Sequence, residues 1–376
     1  MTHGLLHKHK NLQKKQSMMD FTSSLYLGMQ HNSTEISAWG QLSSGVPAAL
    51  FEPAQSKLLG SLIANNQGLE SGFVAPSTLH IYHDLYSLLS KQWVTVFIDE
   101  NVYPTSEYNI EKLFLKNIPV IRFRHLDAAN LQKLVIAKTR KYSKPVVITD
   151  GWCPQCGRAA PLNIYTAILD HFGGYIIVDD TQGLGIFGKK NGKEIYGTGG
   201  GGILKWLNVN SHNTISITSL AKAFGVPVAV ISSTKSFITA FKNNSQTTVY
   251  SSPASSVHIN AGLQALHTNS IIGDCRRQRL FKNITLVKNI LNEKGIKTGG
   301  GIFPVQSLNF RNPHTANIVF EKLSKRGIKT VLTTGHDRHI QTICFVICYQ
   351  HNIDELKKLS CSLQHILCAA NIRWDK

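Results

Sequence analysis

Short apolar, β-branched runs recur through the middle of the chain: Val94–Asp99, Pro119–Phe123, Pro145–Asp150, Tyr175–Asp180, Thr214–Thr218 and Val228–Ser232. Their apolar character is near-continuous, which is the pattern of strands buried on both faces. Helix-length segments such as Leu126–Lys141 and Leu162–Phe172 separate several of them. This alternation predicts an α/β fold with a mostly parallel central sheet covered by helices. Such sheets carry their sites at the carboxyl ends of the strands. Asp99, Asp150, Asp179 and Ser219 all fall at such ends.

After about Ser252 the texture changes. A long helical stretch, His258–Lys294, leads to a Gly-rich turn at Gly299–Gly301. Val305–Phe310, Thr315–Arg326, Ile340–Tyr349 and Ile353–Leu367 then read as strand, helix, strand and helix, a smaller C-terminal α+β domain. The expected organisation is an N-terminal arm and segment over residues 1–50, a large domain over 51–255, and a linking helix with the small domain over 256–376. Gly197–Gly202 reads as a loop, because it lacks the spacing and the lysine of a phosphate cradle.

Composition narrows the function classes. The 376 residues suffice for one large domain and a smaller one. No run approaches the roughly 18 apolar residues of a spanning helix, so no membrane span is expected. Residues 1–16 are rich in Lys and His with no apolar stretch behind them, and read as a frayed basic terminus rather than a secretory signal. The net charge of +18 would suit nucleic acid or a polyanionic substrate such as a coenzyme A thioester. The basic residues are spread out, however, and their few clusters lack interleaved aromatics, which argues against a nucleic-acid partner. Seven scattered cysteines suggest reduced thiols in a cytoplasm. Cys153 and Cys156 form a C-x-x-C, but no second pair completes a zinc site. The pair reads as two small residues in a loop, and no metal is expected.

Lys222 carries the sharpest chemical signal. It lies in the small-residue turn Thr218–Gly225, directly after an apolar run. A lysine in a partly apolar turn at the end of a buried strand can lose its proton, and the neutral amine can form a Schiff base with a carbonyl. The apolar run Tyr175–Asp180 ends in carboxylates. A strand-end lysine and a strand-end aspartate are what a pyridoxal phosphate site needs.

Five motifs in order extend this reading. They are Tyr26-Leu27-Gly28; Ser71-Gly72-Phe73-Val74-Ala75-Pro76; Thr149-Asp150-Gly151 with Gly157 and Ala160-Pro161-Leu162; Val178-Asp179-Asp180-Thr181-Gln182-Gly183; and Ala221-Lys222-Ala223-Phe224-Gly225. Together they resemble the α-oxoamine synthase family of fold-type-I pyridoxal-phosphate enzymes, over most of the chain. The resemblance implies Lys222 as the Schiff-base lysine and Asp179 as partner of the pyridine nitrogen. It implies Ser77, Thr78 and Ser219 at the phosphate. It also implies Ser252 as a hydroxyl supplied by a neighbouring subunit, hence a homodimer with shared sites.

The chain also departs from the family pattern. Tyr103 stands where the family stacks a histidine on the cofactor ring; an aromatic ring still stacks, but imidazole chemistry is lost. Gln182 replaces another histidine and can donate a hydrogen bond to the cofactor without carrying charge. Pro154 replaces a serine. The stretch Thr342–Val346 lacks the arginine that grips the substrate carboxylate, and an arginine–carboxylate fork is a strong contact. Arg338 is the nearby candidate to replace it. The resemblance implies decarboxylative condensation of an amino acid with an acyl-CoA or acyl-carrier thioester, while these departures support binding of pyridoxal phosphate better than that particular reaction. An aminotransferase or Cα–Cβ lyase with an atypical donor, and a catalytically degenerate partner subunit, remain as alternatives.

Overall fold

The computed structural model describes residues 18–192, 194–209, 212–335 and 339–369. Seven strands build its main sheet: β1 (Ser71–Ala75), β2 (Val94–Asp99), β3 (Val120–Phe123), β4 (Lys144–Asp150), β5 (Tyr175–Asp179), β6 (Thr214–Ser219) and β7 (Ala229–Ser233). Their order across the sheet is β1-β7-β6-β5-β4-β2-β3. The pairs from β6 to β3 are parallel, while β7 is antiparallel to both of its neighbours. The expected strands are thus present, within a residue or two at their ends. The carboxyl ends of β1, β2, β4, β5 and β6 share one edge, because β7 alone is reversed.

Alternate residues of these strands feed two cores. Phe97, Val147, Val178 and Val230 face one, and Val96, Ile98, Ile148, Ile177 and Ile217 face the other. Both faces are therefore covered, which explains the unbroken apolar runs. Helices α1 (Ala54–Gln67), α2 (Thr78–Leu89), α3 (Ala128–Lys138), α4 (Leu162–His171) and α5 (Lys235–Asn244) supply much of the cover. The long helix α6 spans Ser256–Asn292 and leads to a three-stranded antiparallel sheet. That sheet contains β8 (Val305–Phe310), β9 (Val331–Thr334) and β10 (Gln341–Val346), packed by α7 (Pro313–Lys325) and α8 (Ile353–Ala369).

Two strands of these two sheets were not anticipated as strands. One, β9, is short, and lies at the edge of its sheet. The other, β1, contains Ser71 and Gly72, and the glycine has a packing reason. A Cβ at Gly72 would lie 2.3 Å from the backbone oxygen of Gly60 on α1. Helix and strand thus meet backbone to backbone. Gly72→Ala is expected to cost about 1–3 kcal/mol through overpacking, read as a lower denaturation midpoint at unchanged slope.

The N-terminal segment links distant parts of the chain. Phe21 N donates to Lys329 O, Val346 N to Phe21 O, and Tyr349 N to Tyr26 O, at 3.0, 2.8 and 3.0 Å. Arg276 of α6 holds the Tyr26-Leu27-Gly28 motif by donating to Leu27 O at 2.9 Å. The Gly197–Gly202 loop is fastened to the same helix: Asn269 donates to Gly199 O, and Gly199 N to Asp274. Its glycines serve this packing.

Candidate active site

The carboxyl edge of the main sheet gathers most of the residues singled out from sequence. Lys222 follows β6 in a tight turn closed by Gly225 N to Lys222 O at 3.2 Å and Val226 N to Leu220 O at 3.0 Å. Gly225 takes φ +67°, which the turn requires and a side chain would resist. His31 Nε2 lies 3.0 Å from Phe224 O, so the N-terminal segment closes the turn from outside. Among the described residues, no hydrogen bond engages Lys222 Nζ. The amine instead lies 5.9 Å from the ring centroid of Tyr103, which is 59% exposed.

Asp179 and Asp150 end neighbouring parallel strands and stand directly opposite each other. Asp179 is buried and held from two sides, by Thr181 N at 3.0 Å and the Tyr82 hydroxyl at 3.3 Å. Tyr82 in turn accepts from Ser106 Oγ at 2.8 Å. Asp150 Oδ2 accepts from Tyr103 N at 3.0 Å, which fixes the loop carrying that ring. Asp150 Oδ1 is buried without a hydrogen-bond partner.

Burial dominates the electrostatics of this group. It lowers the Lys222 pKa, against the opposing pull of Asp179 and Asp150. It raises Asp179 above the usual carboxylate range, although Thr181, Lys222 and Tyr82 oppose it. Asp150 is raised well above that range by burial and by the charge of Asp179. All three groups are pushed towards their neutral forms, as desolvation requires. A lysine with a lowered pKa can act as nucleophile or base.

The Asp150 shift gives a stability prediction. An unfolded aspartate ionises near pH ~3.9. The folded protein holds this proton to higher pH, so it binds more protons than the unfolded chain in between. Stability of the cofactor-free protein then falls as pH rises through that window, by about 1.4 kcal/mol per pH unit for one group. Asp150→Asn removes the cost. Its melting temperature should exceed that of the wild type at neutral pH, and the two should converge near the ordinary carboxylate pKa.

The remaining residues fall around this centre. Gln182 Oε1 accepts from the buried Tyr26 hydroxyl at 2.8 Å, which leaves its NH2 as the donor. Ser219 N donates to Thr181 Oγ1 at 3.0 Å, tying the Lys222 and Asp179 strand ends together. Ser77 is the N-cap residue of α2 and Thr78 opens the helix, but the Ser77 side chain makes no capping bond. Its hydroxyl lies 2.8 Å from His80 Nδ1 instead. Ser252 is exposed and lines a small pocket with Phe51, Val74 and Pro76. Arg338 lies outside the described residues. On β10, Thr342–Val346 is buried and carries no arginine. The sequence marked Asp150 as a strand end and as part of the Thr149-Asp150-Gly151 motif, with no role in the site; the cross-strand pairing with Asp179 is what brings it into the group. A separate cavity of about 650 Å³, lined by Lys190, Trp206, Arg277 and Phe281 among others, includes none of these site residues.

Comparison with known proteins fits this geometry. A family model described as aminotransferase class I and II matches residues 95–363. A putative 8-amino-7-oxononanoate synthase of Methanococcus vannielii is 26% identical over 315 residues, covering 80% of this chain and 79% of the relative. The 8-amino-7-oxononanoate synthase of Coprothermobacter proteolyticus is 23% identical over 286 residues, covering 75% and 70%. Among solved structures, a Sphingomonas wittichii serine palmitoyltransferase superposes with a TM-score of 0.82 at 15% identity, over 94% of this chain and 88% of that one. The 8-amino-7-oxononanoate synthase of Francisella tularensis gives a TM-score of 0.73 at 19% identity, over 95% and 99%.

The residues at the carboxyl edge fit pyridoxal phosphate on their own terms. They offer an amine of lowered pKa, a buried carboxylate, an exposed aromatic ring, an amide donor and a buried acceptor still without a partner. By the match over residues 95–363 and by its fold, the chain belongs to the aminotransferase class I and II family and is a fold-type-I transferase that depends on pyridoxal phosphate.

Proposed function

We propose that this enzyme condenses an amino acid with an acyl-CoA or acyl-carrier thioester, releasing carbon dioxide and free thiol. What carries this choice of reaction is the likeness to relatives named 8-amino-7-oxononanoate synthase, which spans 70–79% of their length. The cofactor supplies an electron sink for the substrate Cα when bound. Lys222 would hold its aldehyde covalently, and Asp179 its ring nitrogen. Tyr103 would stack on the ring, and the Gln182 NH2 would donate to its phenolic oxygen. Ser77, Thr78 and Ser219 would hold the phosphate, where the N-terminus of α2 favours an anion. The Lys222 amine, its pKa lowered by burial, would take the substrate α-proton.

Ser252 would complete the phosphate site from a neighbouring subunit in a homodimer. Its exposure supports this, as does the apolar surface around it, with Leu50 at 79% and Tyr250 at 86% exposed. Among the described residues, no helix is long and apolar enough to cross a membrane. Cys275, Cys344, Cys348, Cys361 and Cys368 are reduced thiols, which fits a reducing cytoplasm.

The test is direct. Candidate amino acids and acyl-CoA thioesters are incubated with the enzyme, and free thiol and carbon dioxide are followed together. Equal release of both is the expected result. Amino-group transfer without thiol release would overturn the reading in favour of an aminotransferase, which the missing arginine on β10 would suit through an unusual donor.

A further inference from the structure

Next to the proposed cofactor site, the fold brings together three groups that its chemistry does not use. Cys153 and Cys156 lie on a small hairpin in which Trp152 pairs with Ala159 and Cys153 with Arg158. The turn between them is tight. Cys156 N donates to Cys153 Sγ at 3.3 Å, and Gly157 N to Cys153 O at 2.9 Å. Gly157 has φ +65°, and a Cβ there would lie 2.5 Å from the backbone of Gly300. Only glycine lets the turn close in this way. The two sulfurs end on one side, 2.9 Å apart and not bonded to each other.

His125, 31 residues before Cys156, completes the cluster. Its Nε2 lies 3.0 Å from Cys156 Sγ. Its Nδ1 lies 2.7 Å from Oδ1 of Asp99, which is buried. Asp99 is itself fixed by Asn101 N at 2.9 Å and Leu126 N at 3.0 Å. A carboxylate on the second ring nitrogen is the usual support of a metal-binding histidine, because it sets the tautomer and the ring orientation. One ligand atom from each of the three residues lies within 4.8 Å of the others. Zinc bonds of about 2.3 Å to sulfur and about 2.0–2.1 Å to nitrogen would widen the Cys153–Cys156 and His125–Cys156 contacts by less than about 1 Å.

We propose that His125, Cys153 and Cys156 bind one zinc ion, with Asp99 as the group that positions His125. Two thiolates and an imidazole select zinc over hard cations such as magnesium. Water or a further donor fills the fourth tetrahedral position. The ion braces the loops that follow β2, β3 and β4, three neighbouring strands. Tyr103 lies in the loop after β2 and Asp150 ends β4, so the zinc stiffens the rim of the proposed active site without touching substrate.

Zinc content of the holoenzyme, purified in reductant without chelator, tests this. Stoichiometric zinc is expected in the wild type and in Cys361→Ser, whose cysteine is exposed on α8. Cys153→Ser and His125→Ala should lose it. Asp99→Asn should keep the site but bind zinc about 10–100-fold more weakly in competition with a chelator. Since a variant that misfolds also loses metal, wild-type protein stripped of zinc is titrated with cobalt(II). Thiolate-to-cobalt charge transfer and the d–d bands of tetrahedral cobalt are the expected signature. Absence of those bands, equal zinc in Cys153→Ser and wild type, or a Cys153–Cys156 disulfide in the fresh protein overturns the proposal. None of these readouts depends on which reaction the enzyme catalyses.

Discussion

Lys222→Ala should reduce turnover by about 10²–10⁴-fold, the range lost when a positioned proton-transfer group is removed. Several features converge on this residue. The turn after β6 fixes its backbone, and burial lowers its pKa, so the amine is available as nucleophile and base. Tyr103 stands over its Nζ, and no hydrogen bond among the described residues diverts it. Lys222→Arg should be as inactive as the alanine variant, since a guanidinium does not deprotonate in a protein. Two measurements separate chemistry from folding. Reduction of the wild-type holoenzyme with borohydride should label the peptide containing Lys222 with the cofactor. Thermal melts of the apo-proteins should show that the variants remain folded. Label on a different lysine, or near-normal turnover in Lys222→Ala, would remove this residue from the mechanism.

Asp179→Asn should be nearly as damaging. Removing one partner of a buried charged pair costs about 3–5 kcal/mol, or a rate loss of about 10²–10⁴-fold if it falls wholly on the transition state. The carboxylate is fully committed to its place by Thr181 and by Tyr82, whose hydroxyl is braced by Ser106. Asparagine keeps the shape and loses the charge. The loss should therefore appear in kcat and in cofactor affinity, with little change in the apo-protein melt. Tyr82→Phe should lower kcat much less, since it removes one hydrogen bond and leaves the charge. A large effect of Tyr82→Phe beside a small one of Asp179→Asn would invert this assignment.

The central sheet was legible because parallel strands covered on both faces carry unbroken apolar runs. The placement of Lys222 and Asp179 was legible for the same reason: each closes such a run. Strand β1 was less so, since Gly72 serves a close helix contact rather than strand propensity. Asp150 was visible as a strand end, but its pairing with Asp179 depends on register, which no local pattern reveals. His125 was invisible as a partner of the C-x-x-C for a similar reason. Strand β2 lies between β3 and β4, so residues distant in sequence meet beyond its end. The spacing rules for zinc sites look for local pairs, and here the third donor arrives through sheet order.

The threading of the N-terminal segment bears on how the protein is made. Residues around Phe21 and Tyr26 bond to the backbone at Lys329, Val346 and Tyr349, while Tyr26 also fixes Gln182 and His31 closes the turn after Lys222. Chains emerge from the ribosome at about 5–20 residues per second, and early domains fold first. The residues around Phe21 must here wait for partners made much later before they can settle. The central sheet can form before β10 is made, but the backbone bonds that anchor Phe21 and Tyr26 to residues 329–349 cannot. A nascent polypeptide stalled before β10 therefore carries Lys222 without the backbone bonds that anchor the segment closing its turn.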